Sequence, residues 1–292
     1  MIQANKLDNM TIFEMIHEGE QILRAYDKQD AAIDSKLLAA HLFGCNISDL
    51  VLSRDAFVPD DIRQSYIYSI AKRAKGMPLQ YITKEQEFMG LSFYVDERVL
   101  IPRQDTEVLV ETIIKLAKSM PLKNVIDIGT GSGCISVALA YYIKDIAITA
   151  IDISKAALDV AKVNILSNNM TDHIHLLESD LLDSFKGEDD SIDLIVSNPP
   201  YISEDEYKGL MIEVSDHEPR NALTDYGDGL SFYHKIAKQA YKYLRLDGYL
   251  VFEIGYNQAE HVKSILQQHK YKNISIIQDL SKRDRVIIAQ KS

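Results

Sequence analysis

The run Asn198-Pro199-Pro200-Tyr201 is the segment whose residue types most clearly suggest chemistry, and Ser197 alone separates it from the apolar, β-prone residues 192–196. Two consecutive prolines form a rigid turn without a backbone N–H. The carbonyl oxygens of Asn198 and Pro199 are thereby fixed outward, and the Asn198 side chain adds another acceptor. Such acceptors can hold both hydrogens of an NH2 group, while Tyr201 can stack on a flat amide or base. We expect Asn198, Pro199 and Tyr201 to be catalytic, and all four residues to bind substrate.

An amide nitrogen is a poor nucleophile because its lone pair is delocalised into the carbonyl group. Hydrogen-bond acceptors on its protons make it more electron-rich and aim the lone pair at the group that it attacks, so orientation supplies much of the rate. A proton can leave afterwards, when the nitrogen is positively charged. The sequence therefore predicts no histidine or glutamate base.

A glycine-rich loop is the second segment with chemical potential. It starts at Asp127, follows a predicted strand and opens a predicted helix. Glycines let the backbone turn tightly and approach a ligand closely. Cys134 stands where a dinucleotide-binding loop has its third glycine, and the ending of a P-loop is absent. A nucleoside without phosphates is thus favoured over a dinucleotide. The expected cofactor-binding residues here are Asp127, Gly129, Thr130, Gly131, Ser132 and Gly133.

Acidic residues end the next two predicted strands. Asp152 can accept hydrogen bonds from both hydroxyls of a ribose; its alternative role, capping the following helix, suits Ser154 better. Asp180 either flanks an adenine together with Leu181 or is an ordinary loop residue. We also expect Asn198 to contact the cofactor. The two cysteines, Cys45 and Cys134, lie far apart and outside any Cys/His cluster, so we expect no metal.

The pattern along the chain predicts three regions. Residues 1–80 carry apolar residues at helical spacing, which predicts a small domain of three short helices. Residues 81–104 include the β-prone stretches 81–83 and 91–95, which predict a linking β-hairpin. Residues 105–292 alternate strands with helices and end in an antiparallel pair. This α/β order predicts a mainly parallel sheet with helices on both faces, and ligands at the carboxyl ends of its strands.

Composition narrows the class of protein. Hydrophobic residues make up 46% of the 292 residues, and the net charge is −11. Proteins that bind nucleic acids without sequence preference neutralise phosphates with basic residues, so the acidic net charge disfavours this function. The opening residues lack a basic segment followed by an apolar stretch, and no apolar run approaches twenty residues. We therefore expect a cytoplasmic monomer with no membrane contact and no stable nucleic-acid partner.

Two of these motifs resemble known enzyme classes. The glycine loop with Asp152 resembles the class I S-adenosylmethionine methyltransferases, over about residues 105–292. Their fold is a Rossmann-like seven-stranded sheet with a reversed last strand, and their cofactor is S-adenosyl-L-methionine. The turn at 198–201 resembles the [DNS]PP[YFW] signature of amino-methyltransferases, which modify adenine N6, cytosine N4 or glutamine N5.

The chain as a whole is similar to the bacterial peptide-chain release factor glutamine methyltransferases, the PrmC/HemK family. The family usually has proline at Gln104, two glycines at Tyr226-Gly227, and often an aromatic residue at Leu181. The segments that carry the resemblance are 76–82 (GMPLQYI), 100–107 (LIPRQDTE), 127–133, 198–203 (NPPYIS), 217–219 (HEP), 228–230 (DGL) and 253–255 (EIG).

The resemblance implies methylation of the side-chain amide N5 of the glutamine in the Gly-Gly-Gln motif of release factors, which modulates translation termination. It implies that the helical region grips the factor at a second site. Residues 101–107, with Arg103 as a substrate-binding residue, either line the cofactor and glutamine pocket or merely start a helix with Thr106 near its cap. His217 and Glu218 either shape the substrate channel or form an exposed loop pair.

Other functions use parts of the same pattern. A DNA or RNA adenine methyltransferase would present the same turn to a flipped base, but residues 1–80 show no basic cluster. A ribosomal-protein glutamine methyltransferase fits the motifs equally well. A nicotinamide-dependent oxidoreductase conflicts with Cys134 and with the turn at 198–201. A non-catalytic module would bind the cofactor without turnover.

Overall fold

The computed structural model describes residues 10–292. Residues 1–9, which belong to the predicted helical region, lie outside the described residues. The expectation drawn from the lack of a basic and then apolar opening segment rests partly on them. Contacts divide the chain into two compact units. The first comprises the described residues up to Lys84 together with Ile212–His217, and the second comprises Glu85–Met211 and Glu218–Ser292.

The bounds of the helices and strands are as follows. The helices are α1 Ile12–Ala25, α2 Ala31–Phe43, α3 Ile47–Leu52, α4 Asp60–Ala74, α5 Leu79–Thr83, α6 Gln104–Ala117, α7 Cys134–Tyr142, α8 Lys155–Ser167, α9 Glu204–Tyr207, α10 Ile212–Ser215, α11 Ser231–Tyr243 and α12 Ala259–Gln268. The strands are β1 Glu85–Phe88, β2 Leu91–Tyr94, β3 Asn124–Ile128, β4 Ala147–Asp152, β5 Ile174–Glu178, β6 Ile192–Ser197, β7 Leu244–Glu253, β8 Tyr271–Gln278 and β9 Asp284–Lys291.

The first unit is helical, as predicted, but its helix count was wrong. Besides α1, α2 and α4 it contains α3, α5 and the later α10. A capping box at Thr11 and Glu14 starts α1, because each residue's side chain accepts from the other's backbone N–H. Buried Leu23, Leu38 and Ile70 bring α1, α2 and α4 together in one core.

The prediction of a strand at residues 81–83 was also wrong, because these residues form most of α5. Pro78 precedes the helix, and its fixed φ is compatible with a helix start. The Thr83 hydroxyl donates back to the Leu79 carbonyl at 3.2 Å, and Tyr81 is buried. β propensity measures how well a side chain fits a pleated surface, so burial in a helical unit overrides it.

The second unit is built on a seven-stranded sheet in the order β5-β4-β3-β6-β7-β9-β8. Strands β3, β4, β5, β6 and β7 pair in parallel, whereas β9 runs antiparallel to both β7 and β8. Among the described strands of this sheet, β9 is thus the one reversed strand. This arrangement confirms the predicted class I methyltransferase fold with its closing antiparallel pair.

Helices cover both faces of this sheet. Along β3, Val125 and Ile126 enter opposite cores, because successive side chains of a strand point to opposite faces. The core on the Val125 side receives α6 and α7, and the core on the Ile126 side receives α11 and α12.

No described helix is long and apolar enough to cross a membrane.

The predicted β-hairpin is present as β1 and β2, and it belongs to the second unit. Phe88 and Phe93 are buried against each other, with ring centroids 6.0 Å apart, in the core that receives α6. Asn164 on α8 accepts from the Tyr94 backbone N–H at 2.7 Å and donates to the Tyr94 carbonyl at 2.9 Å. The buried aromatic pair and the two hydrogen bonds from Asn164 therefore hold the hairpin against the rest of the second unit.

Candidate active site

A cavity of about 360 Å³ lies at the carboxyl ends of β3, β4, β5 and β6. The chain order of the sheet reverses between β3 and β6, so this is the switch point where open α/β sheets bind ligands. A larger cavity, of about 540 Å³, lies at the amino ends of the same strands. The wall of the first cavity includes Arg98, Arg103, Thr106, Gly129–Ser132, Asp152, Asp180, Leu181, Ser197–Pro200, Phe232 and Lys235.

The glycine loop forms one wall of this cavity. Its glycines adopt left-handed φ angles, which other residues take up at a cost. A Cβ on Gly133 would come within 3.2 Å of the Ala161 side chain, so this position also permits close packing of α7 on α8. From α8, Asn164 donates to the Ser132 carbonyl at 2.8 Å and fixes the loop relative to the hairpin.

Asp127 does not lie on the cavity wall, in contrast to the expected cofactor contact. Its side chain is fully buried, and one carboxylate oxygen accepts hydrogen bonds from the Thr130 and Ser136 hydroxyls, both at 2.7 Å. Burial raises the pKa of Asp127 to about 6, against the effect of these two donors. Its other oxygen has no partner within residues 10–292. Asp127 thus organises the glycine loop from beneath.

Asp152 lies on the wall at the end of β4. One of its oxygens accepts from the Gly131 N–H at 2.9 Å and the other from the Ser154 N–H at 2.9 Å. Ser154 itself caps α8, as predicted. Burial raises the pKa of Asp152. Asp180 and Leu181 also line the cavity, beyond the end of β5.

The turn at 198–201 enters the cavity from β6. The buried Ser197 hydroxyl donates to the Ile128 carbonyl at 2.7 Å, so the ends of β6 and β3 are joined. Asn198, Pro199 and Pro200 all line the cavity. The side-chain amide of Asn198 donates to the Thr106 hydroxyl at 3.3 Å. Its oxygen and the Pro199 carbonyl accept no hydrogen bond from the part of the chain that the structure describes.

Tyr201 is turned away from the cavity, which differs from the expected stacking on the substrate. It is not among the described wall residues, and its hydroxyl donates to the carboxylate of Glu253 at 3.3 Å. Burial raises the pKa of the Tyr201 phenol, which therefore remains a hydrogen-bond donor. The Tyr201 carbonyl accepts from the Gln258 side chain at 2.9 Å. These contacts fix the end of the turn.

Arg103 occupies the position before α6 and lies on the wall, where its side chain pairs with Glu218 at 2.6 Å. Glu218 is buried, so it is not part of an exposed loop pair; burial raises its pKa and Arg103 opposes the change. Residues 101–107 were expected either to line the pocket or to start a helix, and they do both. Helix α6 starts at Gln104, and Thr106 in its first turn lines the cavity. His217 belongs to the first unit.

Several residues at the site were not among the predicted site residues. Glu253 is buried at the end of β7, directly behind the turn at 198–201. It opens the segment 253–255 that contributed to the family resemblance, but nothing in the sequence indicates what its side chain does. Phe232 and Lys235 reach the wall from α11, and Arg98 reaches it from the segment before α6. No group of three or more His, Cys, Asp or Glu residues in the described chain is arranged to hold a metal ion.

Comparison with known proteins agrees with this geometry. The model of the methyltransferase small domain matches residues 103–228, and that of the PrmC N-terminal domain matches residues 14–83. A release factor glutamine methyltransferase of Fusobacterium nucleatum is 42% identical over 98% of this chain and 80% of the relative. The chain belongs to the release factor glutamine methyltransferase family. A relative with the same name from Clostridium acetobutylicum is 36% identical over 96% of this chain and 98% of its own.

The chain is therefore a methyltransferase. The resemblance that the sequence motifs indicated is confirmed. The fold is also found in a solved methyltransferase from Pyrococcus furiosus, which is 16% identical, with a TM-score of 0.51. That alignment covers 80% of this chain and 100% of the archaeal one. At this identity the likeness concerns the fold alone.

Proposed function

We propose that this chain transfers a methyl group from S-adenosyl-L-methionine to the side-chain amide N5 of the glutamine in the Gly-Gly-Gln motif of peptide-chain release factors. The family and the names of its members support the reaction and the substrate. The observation that carries the proposal is the position of Asn198 and Pro199, whose free acceptors line the same cavity as Asp152 and the glycine loop.

The cavity fits the cofactor. Its volume lies in the range of small-molecule sites. The positions of a Cβ on Gly129 and on Gly131 are open space, so the loop leaves room for a ligand at its surface. Of the three wall cations, Arg98 is paired with Asp96 and Arg103 with Glu218, which leaves Lys235, 5.5 Å from the Phe232 ring centroid, as the one cation without a carboxylate partner in the described chain. Such a wall suits a nucleoside without phosphates.

Asp152 and the glycine loop would hold the nucleoside part of the cofactor. Each Asp152 oxygen accepts one backbone N–H and keeps a second acceptor site for a ribose hydroxyl. Leu181 and Asp180 would lie beside the adenine. When bound, the cofactor supplies a methyl group on a positively charged sulfonium.

Asn198 and Pro199 would bind the target amide. The Asn198 side-chain oxygen and the Pro199 carbonyl can each accept one hydrogen of the NH2 group. These two contacts fix the nitrogen and direct its lone pair into the cavity, so orientation does most of the work. No histidine is among the described wall residues. The proton leaves after transfer, when the nitrogen is cationic.

The helical unit would grip the release factor at a second site. Many of its large apolar side chains are exposed, which marks a surface suited to a protein partner. These exposed residues are Phe13, Ile33, Leu37, Val51, Leu52, Phe57, Ile67 and Tyr68. Replacing Phe13 and Phe57 by serine should raise KM for the intact factor but not for a short Gly-Gly-Gln peptide. An equal change for both substrates would contradict this role.

The proposed reaction is tested with labelled S-adenosylmethionine. Purified release factor, a factor whose Gly-Gly-Gln glutamine is replaced by alanine, ribosomal proteins and duplex DNA are incubated in parallel. Label on the wild-type factor alone is the expected result. Label on ribosomal proteins or on DNA instead would overturn the substrate, and no label on any of them would overturn the reaction.

A further inference from the structure

Glu253 is a buried carboxylate to which the reaction described above gives no role. It is the last residue of β7 and is 1% exposed. One oxygen accepts from the Tyr201 hydroxyl at 3.3 Å, and the other has no hydrogen-bond partner in the described chain. It does not line the cavity, so it reaches the substrate only through its neighbours. A buried carboxylate is costly and has to be explained by what it holds in place.

The Thr106 hydroxyl lies between Glu253 and Asn198. Its oxygen accepts from the Asn198 side-chain NH2 at 3.3 Å. Burial raises the pKa of Glu253, and the nearby Thr106 side chain opposes that rise by favouring the charged carboxylate. A hydroxyl has one proton to donate, and a charged carboxylate can only accept. With Asn198 donating to the Thr106 oxygen, the Thr106 proton is left for another acceptor, and we assign it to the neighbouring Glu253 carboxylate.

This direction of donation determines how Asn198 faces the cavity. With its NH2 group committed to Thr106, its oxygen is the atom that faces the target amide. The reverse orientation would present an NH2 group to the NH2 of the substrate, and two donors cannot pair. An amide side chain has similar shape in both orientations, so an external acceptor is needed to choose between them.

We propose that Glu253 is a positioning residue that, as a charged acceptor for Thr106 and Tyr201, orients the Asn198 oxygen toward the substrate amide. This inference rests on the proposed function. Tyr201 and Asn198 belong to the same turn, so the carboxylate holds that turn at both ends. The residue acts through its neighbours and touches no reacting atom.

The surroundings of Glu253 place its titration in an accessible range. Burial raises its pKa to about 7, while Thr106, Arg285 and Tyr201 oppose that change. Arg285 is shared, because it also pairs with Asp105 at 3.0 Å and with Asp279 at 3.3 Å. The titratable or charged groups that face Glu253 are Asp105, Cys134, Tyr201, Tyr233 and Arg285.

The test uses Glu253→Gln and Glu253→Asp in the full chain. The glutamine can donate to Thr106 and release Asn198, so kcat should fall roughly 10- to 100-fold, a range typical of a misplaced reacting group. KM and cofactor affinity should change less than about threefold, since neither site is lost. Glu253→Asp keeps a carboxylate on a shorter side chain and should restore part of kcat. Wild-type kcat in Glu253→Gln would overturn the proposal.

The pH profile gives a second readout, which needs only the wild-type chain if Glu253→Gln does not fold. Because the charged form is the active one, kcat at saturating cofactor should rise with pH through about 7. Glu253→Gln should lose this rise, and Asp193→Asn, which alters a carboxylate at the amino end of β6, should keep it. Asp127 also titrates near 6, so cofactor affinity is measured across the same range. A flat wild-type profile would overturn the proposal.

A double-mutant cycle and a spectroscopic measurement separate positioning from mere stability. Thr106→Val and Glu253→Gln should be strongly non-additive in kcat, because they break one chain of hydrogen bonds. The side-chain NH2 resonances of Asn198 should shift with pH in the wild type and not in Glu253→Gln. Additive effects of the two substitutions on kcat would overturn the inference. So would Asn198 resonances that shift with pH in Glu253→Gln as they do in the wild type. The resonances need no methyl transfer, so they remain informative if the proposed substrate is wrong.

Discussion

The carboxylate of Asp152 accepts a hydrogen bond from the Gly131 backbone N–H at 2.9 Å, which joins the end of β4 to the glycine loop after β3. The same side chain accepts from the Ser154 N–H with its other oxygen. Two adjacent loops of the cavity thus share one carboxylate. Because the side chain is partly buried and held from both sides, it is already in place before any ligand arrives.

Asp152→Ala should weaken binding of S-adenosylmethionine by about tenfold or more. A hydrogen bond to a charged group contributes roughly 1.5–3 kcal/mol, and 1.4 kcal/mol corresponds to about tenfold in the dissociation constant. Titration calorimetry measures this constant directly. Asp159→Ala removes an exposed carboxylate of α8 that is not a wall residue and should leave it unchanged. An unaltered constant in Asp152→Ala would refute the ribose assignment.

Asn198→Ala should abolish methyl transfer and leave cofactor binding nearly intact. Loss of one preorganised hydrogen-bonding partner typically lowers kcat by about 10²–10³. Single-turnover assays with labelled cofactor report the transfer, and calorimetry reports the binding. Asn124→Ala, at the amino end of β3, is the matched control and should retain activity. Turnover at the wild-type rate in Asn198→Ala would exclude the acceptor role.

Gly229→Ala should destabilise the protein and displace the turn at 198–201. Gly229 has a φ of +79°, and a Cβ there would lie 2.2 Å from the Tyr201 carbonyl oxygen. A strained backbone conformation alone costs about 1–3 kcal/mol. Urea denaturation should show at least this loss in the free energy of unfolding. Gly227→Ala, where a Cβ would meet the Asp225 carboxylate at 3.5 Å, should cost much less, and an equal loss would contradict the steric argument.

Asp96→Asn should lower the free energy of unfolding at pH 7, and this difference should shrink in acid. Burial raises the pKa of Asp96, but hydrogen bonds from Arg98 and Tyr94 outweigh that effect and lower the pKa to about 2. A carboxyl whose pKa is lowered on folding stabilises the fold above its unfolded pKa of about 3.9. That contribution disappears as the pH falls toward 2. Urea titrations between pH 7 and pH 3 would reveal the trend, and a constant difference would disprove it.

The sequence predicted the catalytic fold because its signals are local. Alternating β-prone and helical segments, glycines in a strand-to-helix turn, and two prolines after an apolar strand each restrict the nearby backbone strongly. The predicted strands of the sheet and its closing antiparallel pair followed from them, and the motifs pointed to the family, whose fold implied the reversed strand. The placement of Asp152 beside the glycine loop also follows, because the ends of adjacent parallel strands meet at one edge.

Only the tertiary structure decided which side chains of these motifs reach the cavity. Asp127 and Tyr201 occupy motif positions, yet one is buried beneath its loop and the other is turned toward Glu253. The direction of a side chain depends on the partners that other elements supply. Thr106, Glu253 and Arg285 come from α6, β7 and β9, which lie far apart in the chain. The sequence by itself therefore determined the chemistry of the turn, and the packing of distant elements determined which atoms of that turn face the substrate.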